Sequence, residues 1–202
     1  MAFVVSIEGP HGVGKSTLVR SLQQAFPSAG CFEEEGHKEL RAKREQSGLA
    51  LSCEEDFYRI QDWYVDFECS RWERLQRYEQ VFTIRGPEVK EFFFLHYPRT
   101  IGANWDVEGK FGESLHRLRG CRSNRLLYLD AHIDIVLQRI RADDRRRRGM
   151  EQWVEKWLPY YSHYFKSNPK TVVLDTTSMS DKDVSEWAEK WVRNGCPLEI
   201  VQ

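Results

Sequence analysis

A glycine-rich stretch near the N-terminus limits the possible folds of this chain more than any other part of its sequence. Residues 9–16 read Gly-Pro-His-Gly-Val-Gly-Lys-Ser, which fits the pattern G-x-x-x-x-G-K-S/T without a mismatch. A short β-branched run at 3–7 comes before it, and helical spacing from Lys15 to Phe26 comes after it. A glycine-rich loop between a buried strand and a helix is typical of proteins that hold phosphate groups.

The spacing of this loop has a chemical reason. Glycines let successive backbone N–H groups point inward as a nest for phosphate oxygens, and the following helix adds the positive end of its dipole. The Lys15 ammonium can reach the β- and γ-phosphates, and the Ser16 hydroxyl can ligate magnesium. We therefore expect ATP and Mg²⁺ as cofactors, with Ser16 as the metal ligand. The predicted nucleotide-binding residues are Gly9, His11, Gly12, Val13, Gly14, Lys15, Ser16 and Thr17. The dinucleotide pattern G-x-G-x-x-G is excluded by the glycine positions.

Composition sets the broad class of the chain. Its 202 residues fit one domain, 1–202, and 41% apolar with 30% charged residues is typical of a folded protein. A net charge of −1 gives no field that favours nucleic acid or membrane, and no run approaches the roughly 18 apolar residues of a membrane span. The five cysteines form no C-x-x-C pair, and the N-terminus shows no leader pattern, so we expect reduced thiols and a cytoplasmic location.

Short apolar runs alternate with helical patterns along the chain. The predicted strands are 3–7, 30–35, 80–84, 126–129 and 171–174. The predicted helices are 15–26, 54–78, 108–119, 133–140, a segment around 153–164, and 181–193. Residues 36–53 are predicted as loop with a short helix, and residues 86–107 receive no assignment. Strands that alternate with helices predict an α/β fold with a five-stranded parallel sheet and helices on both faces.

Three segments, in order, carry a resemblance to a known family. They are the run from Ile7 to Leu18, the third strand ending in Arg85-Gly86, and Leu127 to Ala131 followed by an arginine-rich segment. Over its whole length the chain resembles thymidylate kinases and deoxynucleoside kinases. The resemblance implies the three-layer P-loop NTPase fold, a single kinase domain with an arginine-rich lid at about 141–150, and ATP- and Mg-dependent phosphoryl transfer to a nucleoside or nucleoside monophosphate.

The resemblance also implies roles for residues on the acceptor side. In the family an acid after the second strand orients the acceptor, and Glu33, Glu34 and Glu35 occupy that place here. Side chains alternate along a strand, so only one or two of the three can face the site. We favour Glu35, then Glu34, against the alternative of a solvated acidic turn. Arg85 is expected to clamp a phosphate or the acceptor, and so counts as both catalytic and substrate-binding.

The chain departs from the family at the end of the third strand. The family has an Asp-Arg or Glu-Arg pair there, whereas this sequence has Ile84 before Arg85. The departure weakens the usual assignment of a carboxylate on the magnesium side. Glu88, three residues beyond Arg85, is the candidate substitute.

The lid and the long helix supply the remaining candidates. In the family the lid arginines close over the phosphates, and we select Arg145 and Arg147, the alternative being a solvated helix end. On the helix 54–78, Gln61 could hydrogen-bond a base edge. Arg71 lies in the apolar stripe of that helix, where its partner is either a substrate phosphate or a glutamate.

Two other functions stay open on the sequence. One is a P-loop kinase of another small molecule, such as an antibiotic, a sugar or a vitamin precursor. The other is a nucleotide-binding switch or ATPase. The expected partner is a small-molecule phosphate acceptor, with neither nucleic acid nor membrane, and family members often form homodimers through helices beside the sheet, for which 54–78 is the candidate surface.

Overall fold

The computed structural model describes residues 1–142 and 150–198. Within these residues the strands are Phe3–Glu8 (β1), Gly30–Phe32 (β2), Gln80–Ile84 (β3), Arg125–Asp130 (β4) and Thr171–Asp175 (β5). The helices are Lys15–Ala25 (α1), His37–Ser47 (α2), Glu54–Leu75 (α3), Pro87–Thr100 (α4), Val107–Lys110 (α5), Gly112–Arg119 (α6), Ile133–Ala142 (α7), Met150–Lys166 (α8) and Asp181–Arg193 (α9).

All strand pairs in the sheet are parallel, and the strand order is β2-β3-β1-β4-β5. β1 lies at the centre, where Val5 is in register with Phe82 of β3 and Arg125 of β4. Val4, Val5 and Ile7 have no solvent exposure, because a central parallel strand is covered on both faces. The five-stranded parallel sheet predicted from the sequence is confirmed.

Helices cover both faces of the sheet and complete three layers. On one face α1 and α9 pack their apolar stripes against the strands, with Leu22 and Trp191 buried in that layer. On the other face α4 and α8 pack against β4, where Phe92 and Tyr161 are fully buried. No helix in the described ranges is long and apolar enough to cross a membrane. All five cysteines are free thiols.

The segment that received no assignment contains the helix α4, which is essential to the site. Pro87 occupies its first turn, where a missing N–H costs nothing. Its aromatic residues pack on two sides of the helix. Phe92 contacts Tyr161 of α8, and Phe94 contacts Phe111, which lies between α5 and α6. A helix buried on two sides has no single apolar stripe, so the helical period was hidden in its sequence.

Other boundaries differ from the sequence prediction in ways that the local backbone explains. β2 ends at Phe32, so the three acids after it lie in a loop rather than a strand. Residues 37–47 form a regular helix, α2, bounded by Gly36 and Gly48, which both have positive φ. The helix predicted at 108–119 is divided at Phe111 into α5 and α6. Of the predicted lid, residues 143–149 lie outside the described residues.

Candidate active site

The glycine-rich loop connects β1 to α1 at the carboxyl end of the central strand. Gly9, Gly12 and Gly14 have φ of 133°, 78° and 103°, a backbone region that other residues rarely adopt. A Cβ on Gly9 would also collide with the carbonyl oxygen of Leu129 in β4. The first backbone hydrogen bond of α1 runs from the Leu18 N–H to the Gly14 carbonyl. The N–H groups before it therefore point out of the helix start, as an anion-binding loop requires.

Lys15 lies across the loop. Its Nζ donates to the carbonyl oxygens of Gly9 at 2.8 Å and Pro10 at 2.7 Å, and the residue is only 8% exposed. These two bonds hold the ammonium within the loop. A phosphate oxygen would replace these neutral acceptors with a charged one, which gives a stronger hydrogen bond.

A narrow cleft extends from the loop on the side of α7 and α9. Val13, Gly14 and Thr17 form one wall of it, and Arg139 and Thr176 form the other. Arg139 donates to the Thr176 carbonyl oxygen at 3.1 Å, which ties the end of α7 to the loop after β5. Three of the predicted nucleotide-binding residues, Val13, Gly14 and Thr17, therefore line this cleft beside the phosphate loop.

Arg85 is the basic residue at the end of β3. Its guanidinium contacts Glu34 Oε1 at 2.7 Å and His11 Nε2 at 3.0 Å, so the predicted residues from three segments meet there. Arg85 is 7% exposed and has a φ of 58°, a left-handed conformation that costs about 1–2 kcal/mol for a residue with a Cβ. Such strain occurs mainly where the surrounding structure holds a side chain in a required direction.

The three acids after β2 point in different directions. Glu34 pairs with Arg85, whereas Glu35 pairs with Arg74 of α3 at 2.6 Å. Glu33 pairs with Arg20 of α1 at 2.9 Å. Strand alternation was expected to limit how many of the three acids face the site, but β2 ends before these acids. The structure therefore brings Glu34 to Arg85 and leaves Glu35 beside Arg74.

Glu8, the last residue of β1, is a buried acid that the sequence analysis did not select. Its two carboxylate oxygens accept hydrogen bonds from the Gly86 N–H and the Tyr161 hydroxyl, each at 2.8 Å. Burial raises the pKa of Glu8 to about 7, while the hydrogen bonds from Gly86 and Tyr161 and the charge of Arg85 act in the opposite direction. The signal in the sequence was an acid at the end of a strand that is apolar apart from Ser6, directly before the first glycine of the loop.

Glu88 was the candidate substitute for the acid that is missing at Ile84, but its carboxylate is bonded elsewhere. Its Oε1 accepts from the Ser123 N–H at 2.7 Å and its Oε2 from the Ser123 hydroxyl at 3.2 Å. The residue is 2% exposed, and burial raises the pKa of its carboxyl group. Glu88 therefore fastens the start of α4 to the segment before β4.

Arg71 is likewise part of the framework around the site. Its guanidinium donates to Glu68 at 3.2 Å, to the Arg85 carbonyl at 2.9 Å and to the hydroxyl of Thr83. The partner is thus a glutamate together with β3, which was one of the two alternatives for Arg71. These bonds fix the strand end from which Arg85 projects. Arg71 does not line the cavity described next.

A cavity of about 190 Å³ opens between α3 and α4 beside Arg85. Its walls are mostly apolar and aromatic, and its charged lining residues are all basic. The lining residues are Arg44, Leu51, Ile60, Gln61, Tyr64, Arg85, Val89, Lys90, Phe93, Phe94 and Tyr97. Gln61 and Arg85, both predicted as substrate-binding, therefore face one cavity. Lys90 was not selected from the sequence, where it is a lone lysine at the start of an aromatic run.

The donor set around the loop fits a magnesium ion that comes with a nucleotide. Within the described ranges no three His, Cys, Asp or Glu side chains are grouped as a metal site. Mg²⁺ in proteins is commonly bound by one or two protein oxygens together with substrate phosphates. The Ser16 hydroxyl, at the first turn of α1, is such an oxygen. The predicted lid residues Arg145 and Arg147 lie outside the described residues.

The comparisons with known proteins show which solved structures have a similar fold. No family model and no curated protein sequence matches the chain. Among solved structures, a deoxyadenosine kinase from M. mycoides is similar with a TM-score of 0.70 and 13% identity, over 95% of this chain and 99% of that one. A thymidylate kinase from Candida albicans is similar with a TM-score of 0.65 and 13% identity, over 98% of this chain and 94% of that one. The chain therefore has the three-layer P-loop fold that these two kinases share.

Proposed function

We propose that this chain is an ATP- and Mg²⁺-dependent phosphotransferase whose acceptor is a nucleoside or a nucleoside monophosphate. One observation carries the proposal most strongly. Arg85 lies at the junction of the phosphate loop and the aromatic cavity, because it contacts His11 of the loop and lines the cavity. A phosphate donor in the loop and a ring-bearing acceptor in the cavity would therefore meet at Arg85.

Each residue of the site has a role in this proposal. The N–H groups of the loop and the Lys15 ammonium hold the β- and γ-phosphates. The Ser16 hydroxyl holds magnesium, which neutralises charge on the transferring group when Mg-ATP is bound. Glu34 accepts or orients the proton of the acceptor hydroxyl, and Arg85 holds that carboxylate in place and faces the phosphate. The arginines Arg145 and Arg147 are proposed as lid residues on the resemblance alone.

The relatives of known structure support both acceptor classes. One structure of the M. mycoides deoxyadenosine kinase has the products dCMP and a flexible dCDP bound. The enzyme from Candida albicans is described as a thymidylate kinase of broad substrate specificity. The names of the two proteins indicate a nucleoside acceptor for one and a monophosphate acceptor for the other, so both classes belong in the test.

The test is an acceptor screen. ADP release from Mg-ATP is measured with nucleosides, nucleoside monophosphates, and sugar-like or aminoglycoside alcohols. We expect turnover that depends on a nucleoside or a monophosphate and is lost in Lys15→Ala, because the ammonium that bridges the β- and γ-phosphates is gone. Slow ATP hydrolysis that no acceptor increases would contradict the proposal and favour a nucleotide-dependent switch or ATPase.

One observation favours including a second candidate function in the test. Ile84 stands where the family has an acid, and Glu88 is bonded to Ser123 instead of facing the site. A kinase that acts on another small molecule, such as an antibiotic, a sugar or a vitamin precursor, is therefore the alternative. Turnover with a non-nucleoside alcohol alone would identify it. A cytoplasmic location and a homodimer through α3 are also part of the proposal.

A further inference from the structure

Two polar side chains in the aromatic cavity lack hydrogen-bond partners within residues 1–142 and 150–198. They are the amide of Gln61 on α3, which is 7% exposed, and the ammonium of Lys90 on α4, which is 9% exposed. Both residues are largely buried, but their polar atoms are not among those fully sealed from solvent, so a molecule that fills the cavity would remove their remaining access to water. Because a buried polar group needs a hydrogen-bond partner, a molecule bound in this cavity has to supply partners for both side chains.

The surroundings of Lys90 explain why its ammonium can donate hydrogen bonds to a ligand. Its Nζ lies 5.1 Å from the centre of the Tyr64 ring, which tolerates the charge without accepting a conventional hydrogen bond. Glu68 attracts the ammonium, but its carboxylate already accepts a hydrogen bond from Arg71 at 3.2 Å. Glu34 attracts it as well and is paired with Arg85. Burial lowers the pKa of Lys90, which is the expected effect on a cation without a close counter-ion.

The donor and acceptor properties of the pair restrict the ligand. A lysine ammonium only donates hydrogen bonds, whereas a glutamine amide offers one acceptor oxygen and two donor hydrogens. A nucleobase edge with a carbonyl oxygen beside a ring N–H can satisfy both side chains. A base with an exocyclic amine at the same position would place a donor against the ammonium. The aromatic walls formed by Tyr64, Phe93 and Tyr97 suit a planar ring.

We propose that Lys90 is a specificity-determining residue, which makes the cavity select nucleobases with a carbonyl group over bases with an amino group at the same position. The favoured class comprises the dioxopyrimidines and the 6-oxopurines, and the disfavoured class comprises cytosine and adenine. This inference rests on the proposed function, because it takes the cavity to be the acceptor site. It goes further in naming the chemical class of the acceptor and the side chain that selects it.

The test uses pairs of ligands that differ only in the selected group. Binding of deoxyuridine against deoxycytidine, and of inosine against adenosine, is measured by isothermal titration with the full chain, and kcat/KM is measured for the same four compounds and their monophosphates. We expect the carbonyl member of at least one pair to be favoured about tenfold to a hundredfold, the usual value of one hydrogen bond to a charged group. The pyrimidine and purine pairs show which ring size the cavity accepts.

Two substitutions connect the preference to Lys90. Lys90→Met keeps the length of the side chain but removes the charge, so the preference is expected to fall to within about threefold of equal binding. Lys90→Gln adds an acceptor, so deoxycytidine or adenosine is expected to bind better than it does to the unsubstituted protein. The matched control is Lys43→Met, which removes an exposed lysine that lies 4.1 Å from the Trp63 ring but does not line the cavity.

The outcomes separate this inference from the proposed function. If the nucleosides bind with the expected preference but none increases ADP release, the base preference assigned to Lys90 holds and the kinase proposal fails. If nucleosides are phosphorylated without preference between the members of either pair, or if Lys90→Met keeps the preference, the inference is overturned and the kinase proposal stands. If none of the four compounds or their monophosphates binds, the inference is overturned, and the wider acceptor screen decides the kinase proposal separately. Thermal unfolding of each variant confirms that it is folded.

Discussion

Glu34 and Glu35 are adjacent in the chain but have different surroundings. Glu34 contacts Arg85, which is almost fully buried, whereas Glu35 contacts Arg74, whose side chain is 47% exposed. The two carboxylate side chains are similarly exposed, at 31% and 37%, so the difference lies in the cation beside each of them. A buried arginine can hold a carboxylate in the orientation that a reacting hydroxyl needs, while a pair with an exposed arginine contributes little to stability. The two residues are therefore a matched pair for testing which acid acts in the proposed reaction.

We predict that Glu34→Gln lowers kcat with the best acceptor by about 10²- to 10⁴-fold, the usual contribution of a positioned acid or base. Glu35→Gln should change kcat by less than about threefold, because a surface ion pair is worth roughly 1 kcal/mol or less. Steady-state ADP release measures both variants. A comparable loss in the two variants, or a loss confined to Glu35→Gln, would show that Glu34 does not have this role.

A second residue-scale prediction concerns Glu8. Burial raises its pKa from the ordinary 4.5 to about 7, so between these values the folded protein keeps a proton that the unfolded chain releases. Its contribution to stability is therefore lost as the pH rises through this window. Glu8→Gln keeps the shape without the charge, and the variant should gain about 3 kcal/mol relative to the unsubstituted protein between pH 4.5 and pH 8.

Urea unfolding at a series of pH values measures this difference. Glu73→Gln, on the exposed side of α3, is the control and should show the same pH dependence as the unsubstituted protein. A constant difference between Glu8→Gln and the unsubstituted protein across this range would refute the assignment. The hydrogen bonds from Tyr161 and Gly86 hold the Glu8 carboxyl group in its buried position. The free energy of unfolding of the unsubstituted protein is therefore expected to fall with pH while these bonds are in place.

At the scale of elements, the site depends on how α3 and α4 are held against the sheet. α4 begins directly after β3, and Glu88 in its first turn is bonded to Ser123 before β4. Arg71 of α3 is bonded to the carbonyl of Arg85 at the same strand end. The cavity between the two helices is therefore positioned by buried polar contacts at its base and by aromatic packing along its walls.

The last helix, α9, has a capping arrangement that allows a sharp test. The Ser180 hydroxyl accepts from the Asp183 N–H at 3.2 Å, and Asp183 Oδ2 accepts from the Ser180 N–H at 2.9 Å. We predict that Ser180→Ala lowers the free energy of unfolding by about 1 kcal/mol, within the 0.5–2 kcal/mol range for such caps. The loss is global because α9 buries Trp191 and Val192 in the main core.

Chemical denaturation measures this loss, and Ser178→Ala is its control. Ser178 is exposed two residues before the cap, outside the capping arrangement. It should change stability by less than about 0.5 kcal/mol, as surface substitutions usually do. Equal effects of the two substitutions would mean that the cap does not stabilise α9.

At the scale of the whole molecule, a ligand of the phosphate loop should stabilise the entire domain. The loop joins the central strand to α1, so unfolding of either destroys the site. At a concentration of Mg-ATP about 100 times its Kd, binding adds roughly 2.7 kcal/mol, which raises the Tm of a chain of this size by about 5–10 °C. Differential scanning fluorimetry should show this increase for the unsubstituted protein.

Lys15→Ala is the matched test for that increase. Its Tm without nucleotide is measured first and serves as the baseline, because the substitution also removes the hydrogen bonds from Lys15 to the Gly9 and Pro10 carbonyls. Its Tm should rise by less than about 2 °C with Mg-ATP. A full increase in the variant would mean that the nucleotide stabilises the protein from somewhere other than this loop.

Local signals in the sequence determined a large part of this molecule. The loop at 9–16 and the strand and helix around it were predicted because their glycines and periodicity depend only on neighbouring residues. The number of strands and the parallel α/β fold follow from the alternation of short apolar runs with helical segments, and the structure confirms both. The helix α4 was missed, because its burial on two sides removed the one-sided pattern that identifies a helix.

The tertiary structure decided which side chains meet, since these contacts join residues far apart in the chain. Glu8 and Gly86 are neighbours because β3 lies beside β1, and the hydroxyl of Tyr161 reaches the same carboxylate from α8. Glu34 reaches Arg85 only because the chain leaves β2 before the acids begin. Lys90 faces a cavity because α4 packs against α3. A single sequence carries no direct signal for strand order or helix packing, which bury these charges and so create the site's electrostatics.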